Sequence, residues 1–98
     1  MGLPPDTSVV ASDRQLSTTL AGEVIILGLD SSMYYGLNGA GARIWELLQS
    51  PRTVADIVST ITAEFDADRE RVASDLEALL SDLLSKRLIA ITPSPADR

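Results

Sequence analysis

The sequence predicts an α+β domain of winged-helix-like layout: an N-terminal three-stranded antiparallel sheet followed by three helices. Three observations predict it. Residues before Asn38 are rich in β-branched and turn-forming side chains, and within 23–29 apolar residues fall on both faces of an alternating run. Residues 39–91 switch to apolar spacings of three and four, the period of a helix. The switch falls at one residue, Asn38, between Met33-Tyr34-Tyr35-Gly36-Leu37 and Gly39-Ala40-Gly41-Ala42-Arg43-Ile44-Trp45-Glu46-Leu47-Leu48.

Each element has its own local reason. Residues 8–12 carry Val9 and Val10 and suit a first strand, and residues 16–20 suit a further strand or a loop edge. Residues 23–29 read as the best strand. Ile25, Leu27 and Leu29 share one face and Val24, Ile26 and Gly28 the other, which implies a central strand covered on both sides. Asp30-Ser31-Ser32 is turn chemistry, and Met33 to Leu37 returns as the second arm of a hairpin. Asn38 can cap helix 1, whose stripe is Ile44, Leu47 and Leu48 with Trp45 at its edge. Ser50-Pro51 ends that helix. Thr53 caps helix 2, with Asp56 at the third helical position, an Asp variant of the capping-box spacing. Val54, Ile57, Val58 and Ile61 form its stripe, and Phe65 anchors its end in the core. Asp66 or Asp68 starts helix 3, along which Val72, Leu76, Leu79, Leu80 and Leu83 repeat. Leu88-Ile89-Ala90-Ile91 is a short apolar tail suited to a strand or to packing under the sheet.

Ninety-eight residues make one small domain. Prolines at 4, 5, 93 and 95 predict flexible ends at 1–7 and 92–98 around a domain at 8–91. With 45% hydrophobic residues and few aromatics, the core must be aliphatic. The N-terminus lacks the basic and apolar regions of a signal peptide, and no apolar run approaches a membrane span, so a cytoplasmic protein is expected.

Composition excludes several chemistries. A formal net charge of −6 argues against binding a phosphate backbone. The chain has no Cys and no His, which removes disulfides, thiol nucleophiles, imidazole bases and ordinary zinc sites. Asp66 and Asp68 form a D-x-D pair without the glycine turn or downstream Glu of a calcium loop, so helix-start chemistry is the better reading. Ser31-Ser32 has no base partner. Gly36, Gly39 and Gly41 follow a strand, but their order is the reverse of the dinucleotide fingerprint and no βαβ unit surrounds them. No catalytic residue, metal or cofactor is expected, and an enzyme would need a carboxylate pair that no spacing supports.

What remains is a binding surface. Met33 to Leu37 is the last strand before the helices, a position that often lies at a sheet edge with unpaired backbone groups. Helix 3 carries an apolar stripe wider than one packing neighbour needs. An edge strand beside such a helix forms a groove for an extended peptide, in which backbone bonds give affinity and pockets give selectivity. Composition alone favours the alternative, that Tyr34, Tyr35 and most of the leucines are core. A winged-helix DNA binder is a further alternative from the three-helix order, and charge opposes it: Asp56, Glu64, Asp66, Asp68, Glu70, Asp75 and Glu77 face only Arg69 and Arg71 over helices 2 and 3.

The ordered string Tyr34-Tyr35-x-Leu37-Asn38, then Gly41-Ala42-x-Ile44-Trp45-x-Leu47-Leu48, then Thr53-Val54-x-x-Ile57, resembles the PqqD-like family. The resemblance continues through Glu64-Phe65-Asp66-Ala67-Asp68 and the leucine-rich helix to Ile89, and covers roughly residues 20–91. It implies a recognition element for the leader of a ribosomally synthesised, modified peptide, with the leader added as a strand beside the strand before helix 1 and packed on helix 3. On this sequence that assigns Met33, Tyr34, Tyr35, Gly36 and Leu37 to the edge and Val72, Asp75, Leu76, Leu79 and Leu80 to the helix wall. Gly36 would leave room for the ligand backbone; Trp45, Ile57, Val58, Ile61 and Phe65 would be core. By alternation Tyr35 shares a face with Met33 and Leu37, and Tyr34 shares one with Gly36. The hairpin is most similar to the discrete recognition proteins of lasso-peptide pathways. That similarity implies a precursor peptide, a separate transglutaminase-like cysteine peptidase and a cyclase as partners, with no nucleic acid and no membrane. The quinone-cofactor and sactipeptide branches, which work with radical enzymes, are the alternative. Nothing after residue 91 resembles a fused peptidase.

Overall fold

The computed structural model describes residues 3–92. In chain order it contains β1 (Ser8–Ala11), β2 (Gln15–Leu20), β3 (Glu23–Gly28), β4 (Met33–Leu37), α1 (Gly39–Leu47), β5 (Arg52–Thr53), α2 (Val54–Phe65), α3 (Arg69–Ser85) and β6 (Ile89–Thr92). The α+β class and the order of sheet then three helices are as the sequence predicts.

The strands form two antiparallel three-stranded sheets, ordered β2-β3-β4 and β5-β1-β6. The N-terminal sheet therefore starts at residue 15. β1 leaves it and pairs across the chain, with Val9 opposite Ile91 and Ala11 opposite Ile89 in β6, and Ser8 opposite Thr53 in β5. The apolar tail thus becomes a strand. Two further bonds fix β1, from the Ala11 N–H to the Leu48 carbonyl (2.7 Å) and from the Ser12 N–H to the Leu88 carbonyl (2.9 Å). The expected flexible start is held as well over its described part: the Val54 and Ala55 N–H groups donate to the carbonyls of Thr7 and Pro5, both at 2.9 Å. These bonds satisfy donors at the start of α2 that no helical carbonyl can reach. Residues 1–2 and 93–98, which hold the rest of the expected flexible ends, lie outside the described residues.

The β2–β3 hairpin turns through Ala21 and Gly22, with φ of 54° and 80°. Positive φ at both central residues is the geometry that matches the natural twist of a two-residue hairpin. β3 is the central strand, but only one of its faces is covered. Val24, Ile26 and Gly28 are buried against the helices, whereas Ile25 and Leu27 are half-buried on the opposite face and Leu29 is exposed. The expectation of cover on both sides fails because all three helices and the second sheet are used elsewhere.

The core is aliphatic, as composition requires, with Val9, Ile26, Leu48, Ile57, Leu76, Leu80 and Leu88 fully buried. Each such side chain contributes about 1.5–3 kcal/mol on leaving water. Trp45, Ile57, Val58 and Ile61 are core as expected. The Trp45 indole also donates to Ser17 Oγ at 3.2 Å, tying α1 to β2. Phe65 departs from expectation at 45% exposure. It closes the last turn of α2, beside Asp66 at φ 49°, where the chain reverses toward α3. Thr53 caps α2 by accepting from the Asp56 N–H at 3.1 Å, and Asp68 rather than Asp66 caps α3, accepting from the Arg71 N–H. Asn38 holds the N-cap position of α1 in extended conformation, but its side chain makes no capping bond.

Candidate functional site

β4 is the last strand of the β2-β3-β4 sheet, so one of its edges has no strand partner among the described residues. Its register with β3 (Val24 opposite Leu37, Ile26 opposite Tyr35, Leu27 opposite Tyr34) fixes which side chain points where. Tyr35 and Leu37 point toward the helices and are half-buried. The Tyr35 hydroxyl lies 3.3 Å from Ser31 Oγ, and the Lys86 ammonium stands 5.4 Å from its ring centre, a cation–π contact. Tyr34 points the other way and is 70% exposed. The two tyrosines therefore do different jobs: Tyr35 packs the scaffold and Tyr34 marks the open face. Gly36 has no structural need to be glycine, since a Cβ there would meet only Ile25 Cδ1 at 3.9 Å.

Beside the end of β4 lies an apolar hollow of about 150 Å³. Ala40, Gly41 and Ile44 of α1 form one wall, Ile61 of α2 the floor, and Val72, Asp75, Leu76 and Leu79 of α3 the other wall. The sequence places it there for simple reasons. The first turn of α1, Gly39-Ala40-Gly41-Ala42, carries only small residues, and Gly41 lies against Leu37 closely enough that a Cβ would meet Leu37 Cδ2 at 3.6 Å. α3 packs chiefly on α2 and β6, so it stands off from β4 and leaves the gap. Asp75 is the one charged residue of the lining.

Ion pairs centred on two arginines hold the surroundings. Arg43 on α1 grips Glu64 on α2 through two parallel bonds of 2.8 Å and reaches Glu46 at 3.3 Å. The Glu64 carboxyl is held below the usual carboxylate range by its bonds to the Arg43 guanidinium, and Arg43 is held further into its charged form by Glu64. At the other end of the sheet, bonding to Arg14 lowers Asp30 in the same way.

Of the residues singled out in the sequence, the structure gathers Val72, Asp75, Leu76 and Leu79 in the hollow and sets Met33, Tyr34, Tyr35, Gly36 and Leu37 along the free edge. It does not bring Leu80 there. Leu80 is fully buried and faces a second hollow, of about 250 Å³, between α2, α3 and the N-terminal arm. Residues one apart on a helix are about 100° apart in direction, so Leu79 and Leu80 cannot share one narrow site. Ala40, Gly41, Ile44 and Ile61 are lining residues that sequence reasoning missed. Small side chains at the strand–helix join were the only signal for Ala40 and Gly41, whereas Ile44 and Ile61 read as core, where they are indeed buried. Among the described residues no cluster of three or more metal-ligating side chains occurs, and no helix is long and apolar enough to cross a membrane.

A free strand edge flanked by an apolar helix wall is the form of small domains that accept an extended peptide as an added strand. Residues 23–89 match the family described as Coenzyme PQQ synthesis protein D (PqqD), and the chain belongs to that family. A curated relative, the PqqA binding protein of Gluconobacter oxydans (strain 621H), is 40% identical over 53 residues, which cover 54% of this chain and 55% of the relative. The match thus spans about half the length of that relative. A solved structure, TbiB1 in complex with the TbiA(beta) leader peptide, superposes with a TM-score of 0.76 at 38% identity, covering 82% of this chain and 93% of that one.

Proposed function

We propose that this chain is a non-catalytic recognition protein that holds the leader of a ribosomally synthesised precursor peptide. The leader adds as a strand along the free edge of β4, residues 33–37, and sets apolar side chains into the hollow walled by α1 and α3. The observation that carries this reading is the coincidence of the unpaired β4 edge with the apolar hollow beside it. Two comparisons support it: the curated relative is named for binding PqqA, and the solved relative holds a leader peptide. Asp75 offers one carboxylate at the rim, suited to a basic or hydrogen-bond-donating leader residue.

The recognised leader is delivered to a separate peptidase of the transglutaminase-like cysteine type in a lasso-peptide pathway, after which a cyclase closes the ring. A separate enzyme is needed because this chain has no Cys or His to cut the leader. All of this takes place in the cytoplasm, where precursor peptides are made, without nucleic acid or membrane. A second reading is delivery to a radical enzyme of the quinone-cofactor branch, in line with a family described by coenzyme PQQ synthesis.

The test is titration of a synthetic leader, taken from a short precursor reading frame sought next to the gene for this chain, against the protein and its Leu79→Asp variant. Leu79 is half-buried in the wall, whereas Leu76 is 1% exposed and its substitution would unfold the protein before it tested binding. Saturable binding that weakens in the variant, with far-UV circular dichroism unchanged, is the expected result. No binding to that leader would overturn the reading. Co-purification of the leader-loaded protein with a transglutaminase-like peptidase, or with a radical enzyme instead, separates the two pathways.

A further inference from the structure

We propose that the free edge of β2 is a seam for a second copy of this chain: two molecules pair β2 with β2 about a two-fold axis through Thr18. The first observation is an unprotected edge. β2 ends the sheet on the side away from β4, and nothing pairs with that edge among the described residues. Sheets ordinarily block such edges with charge, proline or short length. β5 is two residues long and carries Arg52, and Pro93 follows β6 in the sequence. Gln15–Leu20 is six residues long with no charge and no proline.

The second observation is that the strand reads almost the same in both directions. Around Thr18 the order is Leu16-Ser17-Thr18-Thr19-Leu20. A two-fold axis makes two copies of a strand antiparallel. With the axis at Thr18, Leu16 meets Leu20 of the second copy twice over, Ser17 meets Thr19, and Thr18 meets Thr18. A one-residue slip would break both leucine pairs. The third observation is that these leucines are uncovered, at 63% and 72% exposure, on the open sheet face shared with Ile25, Leu27 and Tyr34. Cross-strand apolar pairing takes all four from water.

Charge permits the contact. The molecule is acidic overall, but the strand itself is neutral, and Arg14 near one end is already paired with Asp30. One strand seam falls short of the roughly 1,200 Å² of a stable interface, so the association is weak and depends on concentration. It joins the two sheets in the order β4-β3-β2-β2-β3-β4 and leaves both β4 edges free at the far ends. β2 lies outside the residues, 23–89, that match the family.

The absence of native Cys makes the test clean. On the axis, Thr18→Cys places two thiols on Cα atoms about 4.5–5.5 Å apart, within disulfide reach. Leu20→Cys places them about 13 Å from each other, out of reach. Under mild oxidation at high micromolar protein, Thr18→Cys should form a disulfide dimer roughly tenfold faster than Leu20→Cys or a Ser74→Cys control on the exposed side of α3. Sedimentation of the unmodified protein should show a concentration-dependent dimer that Thr18→Lys abolishes without altering circular dichroism or peptide binding. Equal cross-linking rates for the three variants, a protein monomeric at all concentrations, or a dimer that survives Thr18→Lys would each overturn the proposal.

Discussion

The two sheets of this protein are made from similar apolar residues and finished in opposite ways. β5-β1-β6 gathers strands from residues 8, 52 and 89 onward, so it closes the chain on itself, and Ser8, Val9 and Ile89 are buried in it. β2-β3-β4 is built from consecutive hairpins, and it leaves Leu16, Leu20 and Tyr34 largely in water. The first sheet ties distant parts of the chain together and gives Ser8, Val9 and Ile89 to the core, although β6 ends it and Ile91 is 57% exposed. The second keeps more of its apolar area in water, on a face with no cover among the described residues. The difference fits a scaffold role for the first sheet and the proposed recognition role for the second.

The largest expected effect comes from placing one charge in each sheet. Val9→Lys buries an unpaired ammonium at a site with no exposure and should cost more than about 4 kcal/mol, enough to unfold a small domain. Leu20→Lys, opposite Glu23, should change stability by no more than about 0.5 kcal/mol in dilute protein. Chemical denaturation of both variants checks this, and similar losses would erase the distinction between the sheets.

Next in size is the contrast within one helix. Leu79→Asp should weaken leader binding about ten- to hundredfold, or roughly 1.4–2.8 kcal/mol, in a calorimetric titration. Leu80→Ala should act instead on stability, by about 2–5 kcal/mol, because that side chain is in the core. A smaller effect is expected at a cap on the scaffold side. Thr53→Ala removes the acceptor of the Asp56 N–H and should cost about 1 kcal/mol in thermal unfolding.

The smallest effect is on pH dependence. Arg43 holds Glu64 below its ordinary range and Arg14 does the same to Asp30. A depressed folded pKa means that the unfolded chain takes up the proton first on acidification. The stabilisation is full above the ordinary carboxylate range, declines below it, and is gone once pH passes the lowered folded values. Both pairs are at the surface, so the effect is modest. A melting-temperature profile from neutral to acid pH should be less steep for Glu64→Gln than for the unmodified protein.

How much of this was legible depended on the distance over which each feature is decided. Thr53 and Asp68 cap their helices through bonds to residues three positions on, so their types and spacing were sufficient. The hairpin of β3 and β4 was legible because alternation and a turn act locally. The partner of Val9 was not, since Ile91 lies most of the chain away. Phe65 fitted the α2 stripe, yet it stays exposed because no sequence period states where the next helix will cross. Asn38 carried the right chemistry for a cap at the right place, and its side chain is not used. The position of β4 at the end of its sheet was readable, and so was the shared face of Val72, Asp75, Leu76 and Leu79, four of the five α3 residues singled out. The fifth, Leu80, differs from Leu79 only in direction around α3.

The α+β class, the aliphatic core, the switch from strand to helix at Asn38 and the family resemblance are written in the residues themselves, because these rest on residue type and short-range period. Tertiary structure alone decided that β1 abandons the first sheet, that Tyr35 is scaffold while Tyr34 is open, and that Ala40, Gly41, Ile44 and Ile61 share a hollow with α3. Those outcomes depend on which surfaces remain after distant elements have packed, and burial is a competition among all of them at once.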